Sequence, residues 1–416
     1  MPRVSVYTPT HNPRYLDDCF RSLIAQSFPD WEWIVLLNGK ATSWTPPEPD
    51  PRVRVERATA RIRGVGAAKH AACALAAGEI LVELDHDDRL TPTAVAEIVD
   101  ALASHPKATL AFSDFTQMND DGSPNQDRFN LDNGWEYSPQ VLNATSYLRC
   151  HAMAATPHNV GYIWYAPNHV RAVRHDAYEK AGGYDATLSV LDDQDLMIRL
   201  YELGDFVHIQ KCLYLQRIHR RNTQIDPTTN ADIQTGTIEL YRDHIEHLAL
   251  AWAGRAGLAC LALRAPTSVG EPELDARFTP ITINPEKTRF DVGDNEVGVI
   301  KAVDLLQRVP DRAQFLNESY RALRHAGMLL TDTPSTDGRG AFQDPSHVAF
   351  YNENSFVYLT QAAMRPTIPT LTARFQMSHL TTYFPSAVHD QLDIPYVKGN
   401  LLAIKDGARQ GGPLMV

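Results

Sequence analysis

Residues 80–88, Ile80-Leu81-Val82-Glu83-Leu84-Asp85-His86-Asp87-Asp88, decide the fold. Ile80 to Leu84 is a short, mostly apolar run of the kind that predicts a β-strand. It passes without a turn signal into three carboxylates and an imidazole. Open α/β sheets bind ligands beyond the carboxyl ends of their strands, so this placement predicts a ligand site. Carboxylate oxygens are hard donors suited to Mg²⁺ or Mn²⁺, and such an ion can bridge a diphosphate and neutralise its charge as it leaves. The same acids read equally well as a solvated loop before a helix capped by Thr91, with Pro92 at its first position.

Working outward, the chain alternates strand and helix. Upstream, Val4 to Thr8 predicts a strand ended by Pro9. Tyr15 to Ile24 then predicts a helix with Leu16, Cys19, Phe20, Leu23 and Ile24 on one face. Trp31 to Leu37 is a continuous apolar strand closed by Gly39, as expected where helices cover both faces of a parallel sheet. The Ala-rich stretch Ala67 to Ala77 predicts a helix with Gly78 as its stop.

Downstream, Val95, Ile98, Val99 and Leu102 form a helical stripe, and Ala108 to Ser113 a strand. Residues 114–168 read as a loop-rich surface for an acceptor. Helices are expected at Asp176 to Ala181 and Gln194 to Leu203, strands at Phe206 to Ile209 and Cys212 to Arg217, and a surface loop at Asn222 to Asn230. Ile233 to Trp252 reads as a helix leading into a second domain. There, Val297 to Ala302 and Met328 to Thr331 predict strands around a helix from Asp311 to Leu323 stopped by Gly327, and Leu248 to Leu263 reads as a buried helix. The expectation is an α/β protein of two domains, residues 1–245 and 246–416.

Composition excludes several classes. With 416 residues, 44% hydrophobic and 21% charged, the chain has the make-up of a globular protein. A formal net charge of −11 argues against an extended phosphate-binding face, so nucleic acid is a disfavoured partner. Five scattered cysteines without a Cys-x-x-Cys spacing suit a reducing compartment and no zinc site. The sequence has neither a signal-peptide pattern nor a run of about 18 apolar residues, so a cytoplasmic location without a membrane span is expected. Oligomeric state is left open.

Further chemistry lies in Asp192-Asp193-Gln194-Asp195, at a helix start. There carboxylates serve either as caps favoured by the helix dipole or as a general base taking the proton of a sugar hydroxyl. Arg217-Ile218-His219 ends a strand, where His219 is a candidate nitrogen ligand or a plain surface histidine. In Pro157 to His169, His158, Trp164 and Asn168 are candidates for contact with an acceptor, the aromatic rings reading otherwise as packing between sheet and loop.

The order of Thr8-Pro9-Thr10-His11-Asn12, Gly64 to His70, Asp85-His86-Asp87-Asp88, Gly182-Gly183-Tyr184-Asp185, Asp192-Asp193-Gln194-Asp195 and Arg217-Ile218-His219 resembles family 2 glycosyltransferases of the GT-A (Rossmann-like) fold. The resemblance implies inverting transfer from a nucleoside diphosphate sugar, UDP-linked, to a hydroxyl of a glycan, protein or small molecule. It implies Asp193 as catalytic base and Asp87 and His219 as ligands of Mn²⁺ or Mg²⁺, with Asp85 on both the metal and the nucleotide side. Thr8, Pro9, His11, Asn38, Lys69 and Asp192 fall at nucleotide-sugar positions. Here the chain departs from the family pattern: His11 replaces Tyr or Phe, Asn38 Asp, Lys69 Arg, His70 Asn and Asp192 Glu.

The second domain resembles class I methyltransferases over residues 257–360, but Cys260-Leu261-Ala262-Leu263-Arg264-Ala265 stands where a Gly-rich turn would approach S-adenosylmethionine. Gln307 and Arg308 also replace the usual Glu and His. The resemblance therefore implies a degenerate α/β domain without that cofactor. The alternatives are an enzyme that both glycosylates and methylates, and a sugar-nucleotide binding module without catalysis.

Overall fold

The computed structural model describes every residue except 163–166, 221, 223–225, 267–273, 285–288, 407–410 and 412–416. The chain divides into two compact units, Met1–Ile245 and Glu246–Val416.

The first unit contains β1 (Val4–Thr10), α1 (Leu16–Ile24), β2 (Trp31–Leu37), β3 (Val53–Arg57), α2 (Val65–Cys73), β4 (Ile80–Glu83), β5 (Arg89–Leu90) and α3 (Ala94–Ser104). β6 (Ala108–Met118), β7 (Glu136–Leu142), β8 (Thr145–His151), α4 (Pro157–Gly161), β9 (Arg171–Arg174), α5 (His175–Lys180), α6 (Asp192–Leu203) and β10 (Asp205–Arg217) follow, and α7 (Pro227–Arg255) starts in the first unit and ends in the second. The strands form one sheet in the order β3-β2-β1-β4-β9-β6-β10-β5, and the β7/β8 hairpin attaches to β6 through β8.

β3, β2, β1 and β4 run parallel, as the continuous apolar run of β2 implies. All of β2 is buried, because alternate side chains enter two cores. Trp33, Val35 and Leu37 pack with Leu16 and Leu23 of α1 and Ile98 of α3. Leu36 joins Tyr7, Ala72 of α2, Tyr178 of α5 and Leu196 of α6 on the other side. The expected parallel sheet is thus present in β3, β2, β1 and β4, and β9 enters antiparallel between β4 and β6, making the whole sheet mixed.

Several expected boundaries move, each for a local reason. β1 continues through Pro9 to Thr10. Its pairing with β4 ends at Tyr7, whose carbonyl accepts from Leu84, so the missing N–H of Pro9 falls where no partner strand remains on that side. α2 ends at Cys73, and Gly78 is not its stop. Gly78 is needed because a Cβ there would lie 2.6 Å from the Ser5 main-chain nitrogen. α3 starts at Ala94 after a turn in which Thr91 offers its carbonyl to Ala94, so neither Thr91 nor Pro92 opens the helix. β10 is one strand of 13 residues with an irregularity between Ile209 and Cys212, not two strands. Residues 136–151, read as loop, form a hairpin whose turn residues Asn143 and Ala144 sit at φ 48° and 65°. α7 begins at Pro227, inside the expected loop.

The second unit contains β11 (Ala259–Arg264), β12 (Thr279–Thr282), β13 (Val297–Val303), α8 (Arg312–Ala322), β14 (Leu323–Pro334), α9 (Gly340–Gln343), α10 (Glu353–Thr360), β15 (Phe375–Tyr383), α11 (Ala387–Gln391) and β16 (Tyr396–Ala403). Its sheet order is β12-β11-β13-β14-β16-β15, with β16 antiparallel to both of its neighbours. The expected helix from Leu248 to Leu263 is two elements, because the chain turns at Gly257, φ 66°, and continues as β11. Gly327 lies within β14 rather than ending a helix. Among the described residues no helix is long and apolar enough to cross a membrane.

Candidate functional site

Two groups of charged side chains occupy the carboxyl edge of the first sheet. The first is the turn after β4. Arg217, at the end of β10, is 1% exposed and fixes that turn. Its main-chain nitrogen donates to Asp88 Oδ1 at 2.6 Å, its Nε to the Asp87 carbonyl at 2.7 Å, and its Nη2 to Asp18 at 2.7 Å. The guanidinium also lies 4.4 Å from the centre of the Tyr15 ring. Thus held, Asp87 Oδ2 meets His219 Nε2 at 2.9 Å. Asn222 secures the histidine by accepting from its main-chain nitrogen at 2.6 Å and donating to the Arg217 carbonyl at 3.1 Å.

On the other side of the turn, Asp85 lies 3.4 Å from His169 Nε2. His169 stacks on Tyr214, ring centres 4.6 Å apart, while the Tyr214 hydroxyl accepts from the Asp85 main-chain nitrogen at 3.2 Å. One potential ligand atom from each of Asp85, Asp88 and His169 lies within 4.8 Å of the others. Burial, then Glu83, pushes the Asp85 carboxyl up to about 7, although 40% of its side chain remains exposed and water moderates the effect. Burial, then Asp87 and Asp85, also raises Asp88. A turn whose carboxylates repel one another in this way gains from a cation.

The second group is a buried ladder of alternating charge. Asp192 meets Lys69 at 3.0 Å, Lys69 meets Glu83 at 2.6 Å, Glu83 meets Arg171 at 3.3 Å and Arg171 meets Asp193 at 2.9 Å. The side chains come from α6, α2, β4 and β9, and the most accessible, Asp193, is 19% exposed. Burial opposes the charge on Asp193, yet Arg171 and then Lys69 outweigh it and hold the carboxyl below its usual range. Glu83 is lowered likewise, burial being overcome by Lys69 and Arg171. Asp192 is raised because burial, with help from Asp193, exceeds the pull of an ammonium it shares with Glu83. Asp85 links the two groups electrostatically, since it feels Glu83, Lys69 and Arg171 on one side and Asp87 on the other.

The remaining sequence candidates are distributed as follows. Lys69 is 7% exposed and engaged by two carboxylates, so it is not a free cation awaiting a phosphate. Thr8 is buried; its hydroxyl donates to the Leu84 carbonyl at 2.7 Å and accepts from Trp33 Nε1 at 2.9 Å. Pro9 lies in β1, and His11 is exposed with its ring 5.2 Å from that of His86. Asn38 clamps the backbone of Ile62, donating to its carbonyl at 2.9 Å and accepting from its nitrogen at 3.0 Å. His158 is 1% exposed, with its ring beside those of Tyr162 and Tyr241. Asn168 accepts from the His169 nitrogen at 2.8 Å. Trp164 lies outside the described residues.

Sequence reasoning did not nominate Glu83, His169 or Arg171, and it counted Asp88 only as one acid of the 85–88 cluster. Glu83 carried a faint signal as the one charge within an otherwise apolar strand.

Residues 5–163 match the family model described as glycosyl transferase family 2. The chain is 26% identical over 262 residues to the O-antigen biosynthesis protein RfbC of Myxococcus xanthus, a match covering 60% of this chain and 18% of that protein. It is also 26% identical over 232 residues to chondroitin synthase of Escherichia coli, covering 54% of this chain and 30% of the relative. The chain thus spans less than a third of each of these relatives. The solved structure of S. aureus TarS 1-349 aligns with 61% of this chain and 71% of its own, at 15% identity and a TM-score of 0.42. These matches place a segment similar to glycosyl transferase family 2 within the first unit, whose architecture is an α/β sheet.

Proposed function

We propose that the first unit moves a sugar from a nucleoside diphosphate sugar, UDP-linked, to an acceptor hydroxyl with inversion at the anomeric carbon. The observation that carries the reading is the shared sheet edge, where the Asp87–His219 pair stands beside Asp85, and Asp85 in turn feels the ladder that ends at Asp193. Asp85, Asp87 and His219 would hold a divalent cation, Mn²⁺ or Mg²⁺. The raised carboxyls of Asp85 and Asp88 support this fit, as does a donor set of two hard carboxylates and one imidazole. When bound, such a cation supplies charge neutralisation for the departing diphosphate.

The chain's own residues account for the proton. Asp193 stands at the start of α6, where the helix dipole favours a carboxylate. Its Oδ1 accepts from the Gln194 nitrogen at 2.8 Å and its Oδ2 faces Arg171, so the carboxylate is fixed and ionised while each oxygen keeps a lone pair for the acceptor hydroxyl. Attack by that oxygen in a single displacement inverts the anomeric centre. Relatives named for O-antigen biosynthesis and chondroitin synthesis favour a saccharide as acceptor. For the second unit we propose a methyltransferase-like scaffold without methyl transfer, a reading supported by its largely parallel α/β sheet and by the bulky side chains of β11 where a cofactor turn would need glycines.

The test is Asp193→Asn, which keeps the side chain's shape and removes its basicity. Transfer should fall by about 10²- to 10⁴-fold, the usual worth of a general base. Calorimetric affinity for the nucleotide sugar in the presence of Mn²⁺ should remain close to that of the parent protein. Undiminished turnover by this variant would remove Asp193 from the mechanism.

A further inference from the structure

We infer that Arg171 is a positioning residue for glycosyl transfer, holding the Asp193 carboxylate in place and ionised until the acceptor hydroxyl arrives. The inference rests on the reading of Asp193 as the base. In the step it serves, the acceptor O–H bond breaks and its proton passes to an Asp193 oxygen. The freed electron pair forms the bond to the anomeric carbon, and the bond to the diphosphate breaks with its pair leaving on the diphosphate.

Arg171 opens β9, the strand inserted antiparallel between β4 and β6, and its side chain is 9% exposed. One guanidinium spans three segments: Nη1 lies 2.9 Å from Asp193 Oδ2 and 3.3 Å from Glu83 Oε2, while Nε donates to the Pro167 carbonyl at 2.9 Å. A planar guanidinium anchored at several points has little freedom to swing, so it fixes the carboxylate it touches. Around Asp193 the titratable groups are Arg171 on β9, Lys69 on α2, Glu83 on β4, Asp192 on its own helix and His169 just before β9, the last kept neutral by burial. Among the described residues Arg171 is the cation in direct contact with it. Lys69 is already divided between Glu83 and Asp192. With Arg171 gone, Asp193 would face two other carboxylates in a desolvated place and would take up a proton, and a protonated base accepts nothing.

The rival account is that Arg171 merely ties β9 to α6. The two differ in how the defect depends on pH, so the experiment compares transfer rates from about pH 5 to about pH 8. Measured at saturating Mn²⁺, which keeps Asp85 ionised in every variant, the ratio of each variant's kcat to that of the parent cancels ionisations of the donor and of groups that Arg171 does not influence. For Arg171→Gln we expect kcat to fall about 100-fold near pH 6 with donor KM within about twofold. The ratio should climb by about tenfold per pH unit over roughly pH 5–7 as the stranded carboxyl ionises. Arg171→Lys, which restores a cation without the fork, should recover most of the rate and flatten the profile.

The ladder holds three carboxylates and two cations, a net charge of −1 that Arg171→Gln makes −2. Should that variant fail to fold, Arg171→Gln with Glu83→Gln returns the sum to −1 and should still show a rising ratio, displaced to lower pH because one opposing carboxylate is gone. A ratio that stays flat with pH, or a rate that does not fall, overturns the inference. Asp193→Asn run alongside separates the two readings. If it is inactive while the ratio is flat, Arg171 alone loses its role; if it remains active, the base itself was misassigned.

Discussion

At Asp114, in the middle of β6, a carboxylate with no exposed side-chain surface survives because its acceptors are satisfied from three directions. Arg149 Nε donates to it at 2.8 Å, His208 Nε2 lies at 2.7 Å, and the Ala152 main-chain nitrogen donates at 2.8 Å. Burial alone would raise this carboxyl, but the bonds from His208, Ala152 and Arg149 together hold it below its usual range. A carboxyl depressed in the folded chain binds its proton more tightly when unfolded. Its stabilisation is therefore present above the unfolded value near about 3.9 and is lost as pH falls through the lower, folded value. Asp114→Asn should cost about 2 kcal/mol of stability near pH 7, since charge-assisted hydrogen bonds are the strong ones. That cost should shrink in denaturant titrations carried below about pH 4. A penalty that does not change with pH would show that the bonds, and not the charge, matter at this site.

Among elements, the hairpin of β7 and β8 makes the next test. Its turn places Asn143 and Ala144 both in the left-handed region, at φ 48° and 65°. This backbone matches strand twist but suits glycine in the second place. An alanine held there costs about 1 kcal/mol or somewhat more, part of which a glycine returns to the flexible unfolded chain. Ala144→Gly should thus stabilise the first unit by about 0.5 kcal/mol, or about 1–2 °C in melting temperature for a unit of this size. A lower melting temperature would mean the turn is held by contacts to the alanine methyl.

That hairpin also marks where the sequence stops being legible. β2 reads correctly at both ends because covering both faces of a strand forces an unbroken apolar run. β7 and β8 are half-exposed, contain Pro139 and lack the Asn-Gly signal, so neither periodicity nor turn chemistry betrays them. β9 is hidden differently, since it opens and closes on arginines. The acids of 85–88 and 192–195 stand out as clusters. Glu83 and Arg171 do not, because a buried charge looks like any surface charge until its partner, 88 positions along the chain, is known. The GT-A-like order of landmarks could thus be read, while the ion ladder behind them depended on the fold that assembles it.

Across the whole molecule, the proposed chemistry and the proposed scaffold occupy successive parts of the chain. The first unit concentrates charge at its sheet edge, with two carboxyls pushed up beside a ladder whose ends are Asp192 and Asp193. Ligand binding to such a site should act locally, because a divalent cation and a diphosphate relieve repulsion at the turn and slow the opening of the backbone around it. In the second unit Leu261, Ala262 and Leu263 of β11 are buried, and under the proposed methyltransferase likeness they stand where a methyl-donor cofactor would require close backbone approach. Hydrogen exchange read by mass spectrometry tests both statements in the intact chain. With Mn²⁺ saturating throughout and a UDP-sugar added at about 100 times its dissociation constant, binding of the sugar nucleotide contributes about 2.7 kcal/mol. Exchange should then slow at residues 83–88 and 191–195, by up to about 100-fold for amides that open with the site, while β13 and β14 keep their rates. S-adenosylmethionine should leave β11 and β13 unchanged. Protection of those two strands by S-adenosylmethionine would replace the scaffold reading with that of an enzyme carrying two activities, and protection absent from 83–88 would move the donor site elsewhere in the first unit.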